Sequence, residues 1–270
     1  MLVSAAGHSN VGLRRENNED NFYISDATVN SVDDKTAVLS SCRSTVLALC
    51  DGMGGEESGE IASQITVNTI QKCHADILMK FNDAVIKKTV SIANDNVCRK
   101  MFELKKCMGT TLVLFAYKNG DAIVANVGDS RAYLFDNGVM TQISIDDTEA
   151  QRMVVSGLIS KSDAMRIPEN HKLTQNIGIP ADELMIEPHI VHIEPKCNQK
   201  LLLCSDGLTD MVPESEIEYI LSEKQSAEKI ADKLVETAIE NGGKDNVTAI
   251  VIEFKKKRIV NKIHQLFRSK

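Results

Sequence analysis

Tryptophan is absent and aromatic residues make up only 4% of the chain, which leaves little for stacking nucleobases. No secretory signal is visible, because MLVSAAGHSN lacks both a basic segment and a full apolar run. No stretch reaches about eighteen apolar residues, so no transmembrane helix is expected. The seven cysteines, at 42, 50, 73, 98, 107, 197 and 204, never form a CxxC pair, and several sit inside apolar runs. That usage suits buried thiols in a reducing cytoplasm better than a disulfide scaffold or a zinc knuckle. A cytoplasmic protein is expected.

The 270 residues are 43% apolar, enough for a sizeable single core. Net charge is −7, unevenly spread. The last seventeen residues, from Phe254, hold seven Lys/Arg and no acid, which leaves 24 basic and 38 acidic residues, or −14, on the body. So acidic a body argues against nucleic acid as a partner and suits divalent cations.

Strand character is read at Phe22 to Ser25, Thr45 to Cys50, Thr110 to Tyr117, Ala122 to Asn126, Ala132 to Phe135, Leu184 to Ile193, Lys200 to Cys204 and Asn246 to Glu253. Helical spacing is read over Glu57 to Cys73, Asn82 to Met101, Glu214 to Leu221 and Ser226 to Glu240, the last stopped by Gly242-Gly243. Residues 144–183 read as two short helices and loops. Hairpin signals outnumber regular βαβ alternation. The expected class is therefore α+β: two mostly antiparallel sheets packed together with helices outside, in one domain.

Four aspartates share one context. Asp51 follows VLALC, Asp129 follows AIVANVG, Asp206 follows LLLCS, and Asp245 precedes NVTAIVIEF. A buried carboxylate without a partner is costly. Four at strand ends offset that cost if they converge on cations, and oxygen donors without histidine at metal spacing point to magnesium or manganese. Taken singly, each is equally a turn signal. A phosphate loop at GMGGEESGE fails on detail: there is no G-x-x-x-x-G-K-[ST] and no G-x-G-x-x-G, and acids follow the glycines. Arg15, in GLRRENNEDNF, reads either as a clamp for two phosphate oxygens or as a surface ion pair.

Taken together, seven ordered blocks resemble the bacterial branch of the metal-dependent Ser/Thr phosphatases of the PP2C type. They are VGLRRENNEDNF, VLALCDGMGGEESGEIAS, MGTTLVLF, ANVGDSRAYLF, LTQNIG, LLLCSDGLTD and GGKDNVTAIVI, covering about residues 8 to 253. The resemblance implies a four-layer α-β-β-α sandwich with metals at one end of the sheets. It implies a single phosphatase domain over residues 1–253, a flap subdomain at about 144–178, and a basic tail at 254–270. By position, Asp51 matches the carboxylate bridging two metals, and Gly52 matches the residue whose carbonyl binds the second. Asp206 and Asp245 match further ligands of the first. Glu19 and Asp20 match acids near the second metal, acting partly through water. Asp129 and Asp210 match acids holding a third, weaker ion. Arg15 matches the phosphate-binding arginine, and Asn246 matches a residue that orders the loop.

The implied cofactors are two Mn2+ or Mg2+ ions per site. The implied reaction is hydrolysis of phosphoserine and phosphothreonine in proteins, by in-line attack of a metal-bridging hydroxide. Implied partners are phosphoprotein substrates of Ser/Thr kinases. The protein is expected to be a monomer, with weak membrane or protein contacts through the basic tail. Alternatives are an inactive binding or regulatory module, a phosphatase for small phosphorylated metabolites, and a structural calcium domain. Two departures stand out. Met53 occupies the place where eukaryotic members carry a histidine, and the six histidines offer no obvious replacement. Gln175 replaces the arginine of the LTR motif, which removes a positive charge beside the flap.

Overall fold

The computed structural model describes residues 1–24, 27–28, 35–54, 58–164, 167 and 171–256. The chain begins with β1 (Leu2–Asn10), β2 (Asn21–Ile24), β3 (Ala27–Thr28), β4 (Lys35–Cys42), β5 (Ser44–Cys50) and β6 (Gly52–Gly54). Two long helices follow, α1 (Ser58–Lys80) and α2 (Asp83–Leu104). Then come β7 (Met108–Thr110), β8 (Leu112–Lys118), β9 (Asp121–Val127), β10 (Arg131–Asp136) and β11 (Val139–Gln142). After α3 (Glu149–Val155) and α4 (Lys161–Ala164), the chain forms β12 (His189–Ile193) and β13 (Lys200–Cys204). It ends through α5 (Asp206–Thr209), α6 (Glu214–Ser222), α7 (Ala227–Glu240) and β14 (Val247–Lys255).

Two six-stranded sheets carry the fold, ordered β11-β10-β13-β14-β1-β4 and β12-β9-β8-β5-β2-β3. Every paired strand in both is antiparallel. Alternation along a strand explains the layers. In β5, Leu47 and Leu49 face the other sheet, while Val46, Ala48 and Cys50 face α1 and α2. In β13, Leu201 and Leu203 join the inner core, while Leu202 and Cys204 pack against α6 and α7. Both faces of each sheet are covered, so the central strands read as continuous apolar runs rather than as clean alternation. The result is the four-layer α-β-β-α sandwich.

Differences from the sequence reading have physical causes. The segment expected as one strand over Thr110 to Tyr117 is two, β7 and β8, because Thr111 turns to bond Asp51. The strand expected from Leu184 begins only at His189. The first two helices run further than expected, to Lys80 and Leu104, and Asn82 caps the second by accepting from Val85 N. Beyond residue 256 the basic tail lies outside the described residues, as do Gly55, Glu56 and Glu57. No helix among the described residues is long and apolar enough to cross a membrane.

Candidate metal centre

Strand register decides where the carboxylates go. Asn21 opens β2 opposite Cys50, the last residue of β5. Leu112 opens β8 opposite Val127, the last of β9. In the other sheet, Cys204 at the end of β13 lies opposite Arg131 at the start of β10 and Ala249 near the start of β14. All these ends fall on one edge of the sandwich. Glu19 and Asp20 precede β2, Asp51 follows β5, Asp129 sits between β9 and β10, Asp206 follows β13, and Asp245 precedes β14. Both sheets therefore contribute acids to the same end.

The backbone around Asp51 is pinned. Its N–H donates to Thr111 Oγ1 at 2.9 Å, and its carbonyl accepts from Thr110 Oγ1 at 2.8 Å and Thr111 N at 2.9 Å. Thr111 Oγ1 also bonds Ser130 Oγ at 2.7 Å, which ties this corner to the turn that carries Asp129. Gly52 N donates to Glu19 O at 3.1 Å. Gly59 N donates to Glu19 Oε1 at 3.1 Å, so the start of α1 orients that carboxylate. Asp20 Oδ2 accepts from Ser205 Oγ and Thr248 Oγ1, each at 2.7 Å, while Oδ1 is buried without a partner. Asn246 Oδ1 accepts from Glu19 N at 2.8 Å, and its Nδ2 donates to Val11 O and Asn17 O at 2.9 Å. It orders the loop, the role its position implied. Arg15 Nη2 donates to Asp245 Oδ2 at 2.6 Å, so the arginine reaches the cluster rather than a distant surface acid.

Gly52 and Gly59 are pressed together. A Cβ on Gly52 would lie 2.3 Å from Gly59 O, and one on Gly59 would lie 2.6 Å from Glu19 Oε1 and 2.7 Å from Gly52 C. Gly59→Ala is therefore expected to destabilise the protein by roughly 1–3 kcal/mol and to displace Glu19. Urea unfolding monitored by circular dichroism measures the first effect.

The profile of the protein phosphatase 2C family matches residues 28–250. The chain belongs to the protein phosphatase 2C family. The serine/threonine phosphatase stp of Listeria innocua is 34% identical over 215 residues, which covers 77% of this chain and 84% of that protein. The crystal structure of the Mycobacterium tuberculosis serine/threonine phosphatase PstP/Ppp matches at a TM-score of 0.79 and 30% identity, covering 95% of this chain and 100% of that one. The catalytic domain of PstP in complex with two manganese ions matches at a TM-score of 0.77 and 30% identity, with 95% and 100% covered.

Electrostatics in this protein phosphatase 2C chain fit a cation site. Burial pushes the Asp51 carboxyl well above its usual range, and the charges of Asp20, Asp206 and Asp129 add to the shift. Burial likewise raises Asp20 to about 7 and Asp129 to about 8, with Asp206 contributing to both. Burial also raises Glu19 and Asp210. Burial opposes ionisation of Asp206 too, but contacts with His171, Asp51 and the Gly207 N–H outweigh it and hold this carboxyl below its usual value. Acids so crowded must either hold protons or share positive ions. An oxygen-only inner set with one buried, unpartnered oxygen at Asp20 suits hard divalent cations.

Sequence reasoning missed His171. No spacing tied it to the acids, yet its Nδ1 stands 3.7 Å from Asp206 Oδ2 and its Nε2 3.6 Å from Asp210 Oδ2. Its position depends on how the 148–173 excursion closes: Thr148 bridges Leu173, and Glu149 N bonds Lys172 O. Gln175 fastens the base of that excursion, donating to Asp147 Oδ2 and Glu187 O at 3.0 Å and accepting from Glu187 N at 2.7 Å. Asp147 Oδ2 also accepts from Gly128 N at 2.9 Å, beside Asp129.

Proposed function

We propose that this chain is a metal-dependent protein serine/threonine phosphatase. The observation that carries the reading is the convergence of six carboxylates, from the strand ends of both sheets, beside one half-exposed arginine. Asp51, with the Gly52 carbonyl, Asp206 and Asp245 would hold two Mn2+ or Mg2+ ions, with Glu19 and Asp20 beside the second. Asp129 and Asp210 would hold a third, weaker ion. Bound there, the pair of cations supplies an acidified water and counter-charge for phosphoryl oxygens.

The chain's own residues do the rest. Thr110 and Thr111 fix the backbone of residue 51, which holds its carboxylate at the end of β5, where it would meet the cations. Asn246 and Gly59 aim Glu19. Arg15 spends one N–H on Asp245 and keeps other donors of its fork for a phosphate. No nucleophilic side chain is required, and the seven cysteines are bystanders. Residues 144–178 serve as a flap within a single catalytic domain of residues 1–253. Support comes from the closed base of the excursion and from an adjoining cleft of about 350 Å³, lined in part by His171, Thr209, Asp210 and Lys244. The substrates are cytoplasmic phosphoproteins made by Ser/Thr kinases, a reading that unpaired thiols support. The cationic tail suits an anionic surface or an acidic protein partner.

Purified protein is expected to release phosphate from a phosphothreonine peptide with Mn2+, to lose that activity in EDTA, and to prefer the peptide over small phosphate esters. Metal-independent turnover, or none, would sink the reading. Arg15→Ala is expected to lower kcat/KM on the peptide by about 10–100-fold. An unchanged value removes the clamp role.

A further inference from the structure

The ring of His171 stands at the outer rim of the carboxylate cluster. One donor atom each from Asp129, His171 and Asp206 lie within 4.8 Å of one another, and Asp210 Oδ2 lies 3.6 Å from the second ring nitrogen. Neither nitrogen is at hydrogen-bond length from its carboxylate, since good N–H···O contacts fall at about 2.7–3.2 Å. The spacing instead leaves room between donors, as the ligands of a shared ion require. Asp20, whose buried Oδ1 has no partner, belongs to the inner set and feels the charge of Asp206. The donors come from the β9–β10 turn, the excursion and α5, so no single local turn explains their meeting. The described histidines other than His171 are engaged elsewhere. His8 meets Asp232, His74 meets Tyr23, His189 meets Asp147, and His192 meets Asp83.

We propose that His171 donates one imidazole nitrogen to an outer ion site formed with Asp129 and Asp206, its other nitrogen facing Asp210, so that this site takes a first-row transition ion in preference to Mg2+. The inference rests on the phosphatase reading above and sharpens it. Magnesium takes oxygen donors in a strict shell and dehydrates reluctantly. An imidazole in the set favours transition ions, whose affinity for nitrogen is higher. The inner sites, built of oxygen alone, lack that bias.

The test uses the full chain, saturated with Mg2+ and then titrated with Mn2+. Electron spin-echo spectroscopy of the bound Mn2+ is expected to show nitrogen modulation from a directly coordinated imidazole. His171→Asn should abolish the modulation and weaken Mn2+ binding, followed by calorimetry, by about tenfold or more. Its half-exposed side chain leaves the core untouched, and an unchanged circular-dichroism spectrum checks that the variant folds. His171→Asp, which restores an oxygen donor, should lose the nitrogen signal and bind Mg2+ more tightly at this site. Wild-type protein without nitrogen modulation, or His171→Asn with unchanged Mn2+ affinity, overturns the proposal. Either result, in protein that still binds two ions and hydrolyses the phosphopeptide, removes only the role of His171. Protein that binds no ion and has no turnover removes the phosphatase reading itself.

Discussion

Asp51→Asn is expected to lower Mn2+-dependent turnover of a phosphothreonine peptide by about 10³-fold or more, while raising the thermal midpoint of the EDTA-treated protein. Two roles of one side chain predict the opposite signs. Asparagine keeps the shape, and the bonds to Thr110 and Thr111 run through the backbone of residue 51, so local geometry survives. What is lost, under the proposed assignment, is the charge that two cations would share. Without cations, however, that charge is a burden, because Asp51 is buried against Asp20, Asp206 and Asp129. A neutral isostere relieves the repulsion. For a chain of this size about 1 kcal/mol corresponds to roughly 2–4 °C. Phosphate release and scanning calorimetry on the same preparation read both effects. Full activity in the variant defeats the bridging assignment, and an unchanged midpoint defeats the electrostatic account.

The second large effect concerns pH. Asp20 titrates near 7 and Asp129 near 8 in the folded chain, against 3.8 ordinarily. Between those values the folded state binds more protons than the unfolded state, so stability falls as pH rises, at up to about 1.4 kcal/mol per pH unit for each group. Above the folded values the loss is complete. His171, raised from 6.5 to about 9 by its contact with Asp206, carries the same sign. Its contribution is present below 6.5 and lost as pH rises through 9, and the half-exposed ring reduces it. Metal-free protein is therefore expected to melt at lower temperature at pH 8 than at pH 5. Saturating Mn2+ should reverse much of the difference at pH 8, by about 4 kcal/mol at a thousandfold excess over Kd. Calorimetry at both pH values, with and without Mn2+, measures it. A metal-free midpoint that rises with pH would show that these acids are not buried together.

The inner acids were legible because each borders a strand whose apolar run is unmistakable, as VLALC and LLLC are. The motif order then supplied their joint meaning. Strand β1 was not legible. LVSAAGHSN is rich in small residues of weak β propensity, yet it occupies a place between β14 and β4. The structure gives the reason at Gly7, where a Cβ would come within 2.8 Å of Ile24 Cδ1. Small residues are there because the opposite sheet comes close. Strand β4 hid for another reason: it begins beside a polar stretch, and Val38 faces outward on an edge, 59% exposed. His171 was illegible in principle, since its nearness to Asp206 depends on long-range closure of the excursion and on no local period.

Asp51 extends one sheet, whereas Asp206 and Asp245 extend the other. At the far end of the sandwich the two sheets are joined by aromatic packing of Phe115 and Tyr117 against Phe254. Under the proposed assignment ions would join the near end too, beside the bonds that Asp20 accepts from Ser205 and Thr248. Among the described residues no disulfide does this work, and all seven thiols are free. The metal pair would then act as a removable cross-link between sheets. Chelation would loosen one end of the sandwich and leave the other shut, so the stiffness of the catalytic edge would follow the supply of divalent ions.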